Sequence, residues 1–216
     1  MSTRWKGIVF DLDGTLIDTE KLYRRFWVEA ARQMGYPMEE RHALMIRAMA
    51  ASVAGPLLRR EVCPEFDYEG VRALRRKLME EYVDVHGVQA MPGMIPMLDA
   101  VRARGMRIAL ATATQEARAR KYLRMVQAET YFDAVVTADQ VPCGKPAPDI
   151  YALAVKRLGL APQEAMAVED APSGVRSAHD AGLFTVMVPE HTQPDDSTRA
   201  LCNAVVPSLL DVVPLL

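Results

Sequence analysis

The chain has 216 residues, half of them hydrophobic, with 26 Lys+Arg against 28 Asp+Glu and a formal charge of −2. That balance leaves no basic footprint, which disfavours nucleic-acid wrapping and docking on an anionic membrane surface, and the length admits one large domain or one domain carrying an insertion. Cys63, Cys143 and Cys202 lie far apart with no CxxC pair, so a disulfide framework or zinc site is disfavoured and a reducing cytoplasm is expected. After Arg4 and Lys6 the apolar run is too short for a signal peptide, and no stretch approaches the ~20 apolar residues of a membrane span. The whole chain is expected as a cytoplasmic, monomeric protein with no nucleic-acid or membrane partner.

Residues 8–10 (Ile8, Val9, Phe10) form the first short apolar run, strand-like in length. From 18 to 88 only helical patterns follow. Residues 19–34 place Leu22, Phe26, Ala30 and Met34 on one face before Gly35. Residues 39–60 continue with an expected interruption near Gly55 and Pro56. Residues 67–86 carry an apolar stripe of Val71, Leu74, Leu78 and Tyr82, with Arg72, Arg75, Arg76 and Lys77 read as a solvated face. Helix and strand then alternate: helix 94–104 (Ile95, Leu98, Val101 inward), strand 107–111, helix 115–126, strand 134–136, helix 150–158, strand 165–168, helix 174–181 and strand 184–188. Strands apolar on both faces, separated by helices, predict a doubly wound, Rossmann-like parallel sheet. The expected organisation is an α/β core of residues 1–17 and 89–216, interrupted by an inserted α-helical domain of residues 18–88.

In such a sheet, ligands bind beyond the carboxyl ends of the strands. Strand 8–10 runs into Asp11-Leu12-Asp13-Gly14-Thr15, strand 107–111 into Thr112-Ala113-Thr114, and strand 165–168 into Glu169-Asp170; Lys145 stands in the loop Cys143-Gly144-Lys145-Pro146. Four carboxylates, a hydroxyl and an ammonium are expected on one rim. Carboxylates so crowded repel one another and need a counter-charge, and an all-oxygen ligand set suits Mg²⁺ with a phosphate oxygen completing it. The pattern points to phosphoryl chemistry.

The run Asp11-Leu12-Asp13-Gly14-Thr15-Leu16-Ile17-Asp18-Thr19 resembles the first motif of the haloacid dehalogenase (HAD) superfamily, in particular its β-phosphoglucomutase-like phosphatases. Thr112, Lys145 and Glu169-Asp170 are similar to the second, third and fourth motifs, in the same order. The resemblance spans essentially the whole chain and implies a HAD-like core with a helical cap. It implies that Asp11 is the nucleophile and a metal ligand, and that Asp13 is the general acid and base, its carbonyl also binding metal. It further implies that Thr112, the Ala113 amide and Lys145 hold the phosphate, while Asp170, and Glu169 directly or through water, hold Mg²⁺. The cap is expected to close during ester cleavage.

Substrate choice falls to the cap. By position, Tyr23 takes the place where related mutases carry a histidine. The loop 46–52, Ile46-Arg47-Ala48-Met49-Ala50-Ala51-Ser52, holds Arg47 as its only cation where those enzymes bind a second phosphate. Tyr23, Arg24 and Arg47 are the candidate substrate contacts, and His42, His86, His179 and His191 are read as structural or solvated. The expected activity is a Mg²⁺-dependent phosphatase acting on a small phosphorylated metabolite such as a sugar phosphate. The alternatives are a sugar phosphomutase and, further off, a dehalogenase, a phospho-accepting signalling domain or a non-catalytic binding protein.

Overall fold

Val9, Ala109, Ala111, Ala165 and Ala167 alternate along their strands with Ile8, Phe10, Ile108, Leu110, Met166 and Val168, and all are fully buried. Burial on both faces follows from a parallel sheet covered by its crossover helices. The computed structural model describes residues 5–47, 49, 51–190 and 193–216; Arg4, Ala48, Ala50 and His191, named in the sequence reading, lie outside them. The sheet comprises β1 (Gly7–Phe10), β2 (Arg107–Thr112), β3 (Ala134–Thr137), β4 (Ala165–Glu169), β5 (Phe184–Met187) and β6 (Ala204–Val205), in the order β3-β2-β1-β4-β5-β6. Every pairing is parallel. The two-residue β6, against Val186 and Met187, is absent from the expected strands, although Ala204-Val205-Val206 repeats the apolar triplet of β3, Ala134-Val135-Val136.

Contacts divide the chain into two compact units, Met1–Asp18 with Gln89–Leu216 and Thr19–Val88. The second contains α1 (Glu20–Gln33), α2 (Glu40–Met45), α3 (Ala51–Glu61) and α4 (Tyr68–His86); the first contains α5 (Met94–Ala103), α6 (Glu116–Met125), α7 (Asp149–Leu158) and α8 (Pro172–Asp180). The small residues of β1, β2 and β4 let α7 settle close to the sheet, where Ile150, Tyr151, Ala154, Val155 and Leu158 share one core cluster with them. Each large aliphatic side chain buried this way contributes roughly 1.5–3 kcal/mol. In α5 the buried face is Met94, Met97, Leu98 and Val101, while Ile95 is half-buried.

The helical unit departs from its expected pattern in three places. The break in the second helical stretch falls between α2 and α3 rather than at Gly55-Pro56, which both lie within α3. Pro56 sits in the second turn of α3, where its missing N–H forfeits one hydrogen bond. Gly55 faces Tyr68 of α4, where a Cβ would sit at an ordinary contact distance of 3.5 Å. In α1 the buried face is Phe26, Trp27, Ala30 and Ala31, leaving Met34 exposed. In α4 it is Tyr68, Val71, Arg75, Met79 and Val83, so Arg75 is buried rather than solvated. A 3.6-residue period permits either stripe, and the aromatic side chains of α1 select the one containing Arg75. His42 is structural, its Nδ1 accepting from the Glu39 N–H at 3.0 Å at the start of α2.

Candidate active site

From β1 the chain winds outward through β2 and β3, then returns past β1 to β4, β5 and β6. The strand order therefore reverses between β1 and β4, and loops leaving their carboxyl ends diverge around a crevice. Phe10 pairs with both Leu110 and Val168, and the Asp11 N–H donates to the Val168 carbonyl at 3.0 Å. This register sets Asp11 beside the end of β4, where Glu169 and Asp170 emerge. Carboxylate oxygens of Asp11, Glu169 and Asp170 lie within 4.8 Å of one another, and all three residues are buried.

Lys145 joins this group from the loop before α7. Its Nζ donates to Asp11 Oδ1 at 2.5 Å, to Glu169 Oε1 at 2.6 Å and to the Ala111 carbonyl at 2.9 Å. Burial alone would lower the lysine pKa, but Asp11 and Glu169 outweigh it and hold the ammonium above the ordinary lysine range. For Asp11 the balance runs the other way. Burial raises its carboxyl well above the usual value; Lys145 opposes the rise, and Glu169, Asp170 and Asp13 add to it. One lysine does not neutralise this many carboxylates, so the donor set calls for a further cation. Buried, all-oxygen and anionic, it fits a hard divalent ion.

Glu169 is anchored from several sides. Tyr151 donates its hydroxyl to Oε1 at 2.7 Å, and the Asp170 and Ala171 N–H groups donate to Oε2 at 3.2 and 3.5 Å. Its carboxylate fills the space beside Gly174, where a Cβ would come within 1.8 Å of Oε1. Gly14 serves a similar end for Asp170: its φ is +88°, and a Cβ there would meet Asp170 Oδ2 at 2.5 Å. The glycine of the Asp-x-Asp-Gly-Thr run thus provides both a left-handed turn and room for a carboxylate from another strand.

Beyond β2, Thr112 is fully buried and its Oγ1 accepts from the Thr114 N–H at 3.0 Å. Ala113 between them is exposed. Thr114 Oγ1 donates to Asp13 Oδ2 at 2.7 Å. Thr114 has no role in the expected site; the signal for it in the chain is a second hydroxyl two residues beyond a strand-end threonine.

The remaining candidates, Tyr23, Arg24 and Arg47, belong to the helical unit and line a cavity of about 230 Å³ there, together with Glu20, Arg72 and Arg75. Arg24 Nη1 pairs with Glu40 at 2.9 Å, and Arg47 Nε with Glu20 at 3.0 Å. The Arg75 guanidinium lies over the rings of Tyr23 and Trp27, at 4.7 and 5.1 Å from their centres, a cation–π arrangement that offsets part of its burial. Burial pulls its pKa down, with Tyr23 opposing. The Nε atoms of Arg24 and Arg75 are buried without a hydrogen-bond partner. Arg72 and Arg75, expected on a solvated face, line this cavity instead; a charge falling on the stripe of Val71 and Met79 is the signal that identifies Arg75.

No helix among the described residues is long and apolar enough to cross a membrane, and the three cysteines are free thiols. The chain is 31% identical over 202 residues to a phosphorylated carbohydrates phosphatase of Thermotoga maritima, covering 93% of this chain and 92% of that protein. It is 36% identical over 198 residues to hexitol phosphatase A of Escherichia coli, covering 91% and 87%. Its fold is similar to the crystal structure of CbbY from Rhodobacter sphaeroides in complex with phosphate, at a TM-score of 0.76, 26% identity and 96% coverage of each chain. The haloacid dehalogenase-like hydrolase family matches residues 5–182; matched over most of its length, the chain belongs to that family.

Proposed function

We propose that the chain is a cytoplasmic, monomeric, Mg²⁺-dependent phosphomonoesterase that hydrolyses small phosphorylated metabolites of the sugar-phosphate class through an aspartyl-phosphate on Asp11. The observation that carries this reading is the buried bridge of Asp11, Lys145 and Glu169 beside Asp170. It pairs a nucleophile with a fixed cation in a site still short of positive charge. The phosphatase names of the relatives support the substrate class.

Asp11, Asp170 and the Asp13 carbonyl would hold Mg²⁺. Glu169, whose oxygens already accept from Lys145, Tyr151 and two backbone N–H groups, would act on it through water. When bound, the ion supplies positive charge against the phosphoryl oxygens. Asp11 attacks phosphorus while the ester bond breaks, and Asp13 gives its proton to the leaving alkoxide. Thr112, the Ala113 amide and Lys145 hold the phosphoryl oxygens. Asp13, now ionised, takes a proton from the water that attacks phosphorus and frees Asp11. The helical unit, residues 18–88 on this reading, acts as the substrate-selecting cap, with Tyr23, Arg24 and Arg47 as substrate contacts.

A sugar phosphomutase is the second reading, and Arg75 in the helical cavity, whose Nε is buried without a hydrogen-bond partner, favours it as charge for a second phosphate. The discriminating experiment incubates a panel of sugar phosphates, including a hexose 1-phosphate, with the protein and Mg²⁺ and follows both products. Free phosphate is the expected result. An isomerised sugar phosphate establishes the mutase, and turnover of no ester overturns both.

A further inference from the structure

We infer that Thr114 is a positioning residue for the reaction: by donating to Asp13 Oδ2 it fixes the plane of the carboxyl group for proton transfer through Oδ1. The inference rests on the reading of Asp13 as general acid and base. Asp13 follows β1 by three residues and Thr114 follows Leu110 by four, and Phe10 pairs with Leu110 across the parallel strands. The two loops therefore leave the sheet side by side. The loop after β2 is fixed by its own hydrogen bond, from the Thr114 N–H to Thr112 Oγ1 at 3.0 Å. With that turn closed, the buried Thr114 hydroxyl reaches Asp13 Oδ2 at 2.7 Å.

A hydroxyl has one proton to donate, and a carboxyl group has two oxygens of which only one carries a proton when the group is neutral. When Asp13 is the acid with its proton on Oδ1, Oδ2 is a carbonyl oxygen and accepts from Thr114. When Asp13 is the base, Oδ2 is half of a carboxylate and still accepts. The Thr114 bond therefore persists across both halves of the reaction. In the first half the Asp11–phosphorus bond forms, the phosphorus–ester oxygen bond breaks and the Oδ1 proton moves to the departing oxygen. In the second half water loses a proton to the same Oδ1 as its oxygen bonds phosphorus and the Asp11–phosphorus bond breaks. Fixing the carboxyl plane spares Asp13 a search among orientations at each step, and small misplacements of a reacting group cost up to about 100-fold in rate.

The test compares Thr114→Val, which keeps the shape but loses the hydroxyl, with Thr114→Ser, which keeps the hydroxyl. Single-turnover release of the alcohol from an alkyl phosphate and of p-nitrophenol from p-nitrophenyl phosphate is followed with Mg²⁺ present. The aryl leaving group departs without a proton, so its release is insensitive to the acid. Thr114→Val is expected to slow alkyl ester cleavage about 10- to 100-fold, with little change in half-saturation and little change in p-nitrophenol release. Thr114→Ser is expected to restore most of the loss. Equal slowing of the two esters, no slowing, or failure of Thr114→Ser to recover the rate overturns the inference. Asp13→Asn runs in parallel: if it separates the esters and Thr114→Val does not, Thr114 alone is excluded. If Asp13→Asn does not separate them, the acid role fails and the inference with it. Thr114→Ala replaces Thr114→Val should the latter not fold.

Discussion

At the strand ends of the α/β unit, carboxylates of Asp11, Glu169 and Asp170 crowd within 4.8 Å of one another around Lys145; in the helical unit Arg24, Arg47, Arg72 and Arg75 gather around one cavity with Glu20. The two sites balance charge differently. Charges about 4 Å apart near a protein surface interact by roughly 4 kcal/mol, so the first site, with one lysine among its carboxylates, needs a further cation, whereas in the second Arg24, Arg47 and Arg72 each pair with a carboxylate. The first is also rigidly assembled, each carboxylate set by strand register, a backbone donor or a glycine's missing Cβ. The second is assembled from α1, α4 and the end of α2 with the turn that follows it, the Arg75 guanidinium lying over the rings of Tyr23 and Trp27. On the proposed roles, fixed geometry serves the first site in performing one reaction, and charge displayed on replaceable side chains serves the second in selecting among substrates.

The largest expected effect strikes the first site. Asp11→Asn removes the proposed nucleophile and is expected to lower turnover roughly 10⁴-fold or more, with far-UV circular dichroism unchanged. Retained turnover would mean that the carboxylate cluster is not where the chemistry occurs. An intermediate effect belongs to the second site. Arg75→Met keeps the stem and loses the charge, and is expected to lower kcat/KM for sugar phosphates about 10- to 50-fold, mostly through KM, because hydrogen bonds to charged groups contribute about 1.5–3 kcal/mol. For p-nitrophenyl phosphate, which lacks a sugar, the change is expected to be small; equal losses on both substrates would remove the helical cavity from substrate selection.

The smallest effect concerns the cation deficit itself. Because burial raises the pKa of Asp11, the folded metal-free protein holds a proton that the unfolded chain has released in the range between about pH 3.8 and that raised value. That contribution to stability is complete below about pH 3.8, the ordinary value for the group, and is lost as pH rises through the raised value. Saturating Mg²⁺ is therefore expected to raise the thermal midpoint by a few degrees, about 2–4 °C per kcal/mol of linkage, and by more as pH rises across this window. Thermal unfolding with and without the metal at several pH values checks it. A shift independent of pH would show that the ion does not relieve the Asp11 charge.

The residues of the first site were legible in the chain because a parallel sheet makes strand ends predictable. Each short apolar run, at 8–10, 107–111 and 165–168, stops at a polar group, and the sheet places those stops on one edge. Lys145 was readable as a cation in a loop, though not its three partners. Arg75 was misplaced because helical periodicity offered two stripes of similar quality, and Trp27 and Tyr23, some fifty residues earlier, decided between them. The bond from Thr114 to Asp13 joins positions about a hundred residues apart and leaves no periodic trace.

What the sequence alone determined is the alternation of strands and helices, the insertion after the first strand and the polar stops that mark the reactive edge, since these depend on local apolar patterning and short turns. Only the tertiary structure decided which oxygen of Asp13 is held, how Glu169 distributes its hydrogen bonds and which arginines turn inward. Those outcomes depend on the direction of single side chains, and direction is set by packing between segments far apart in the chain.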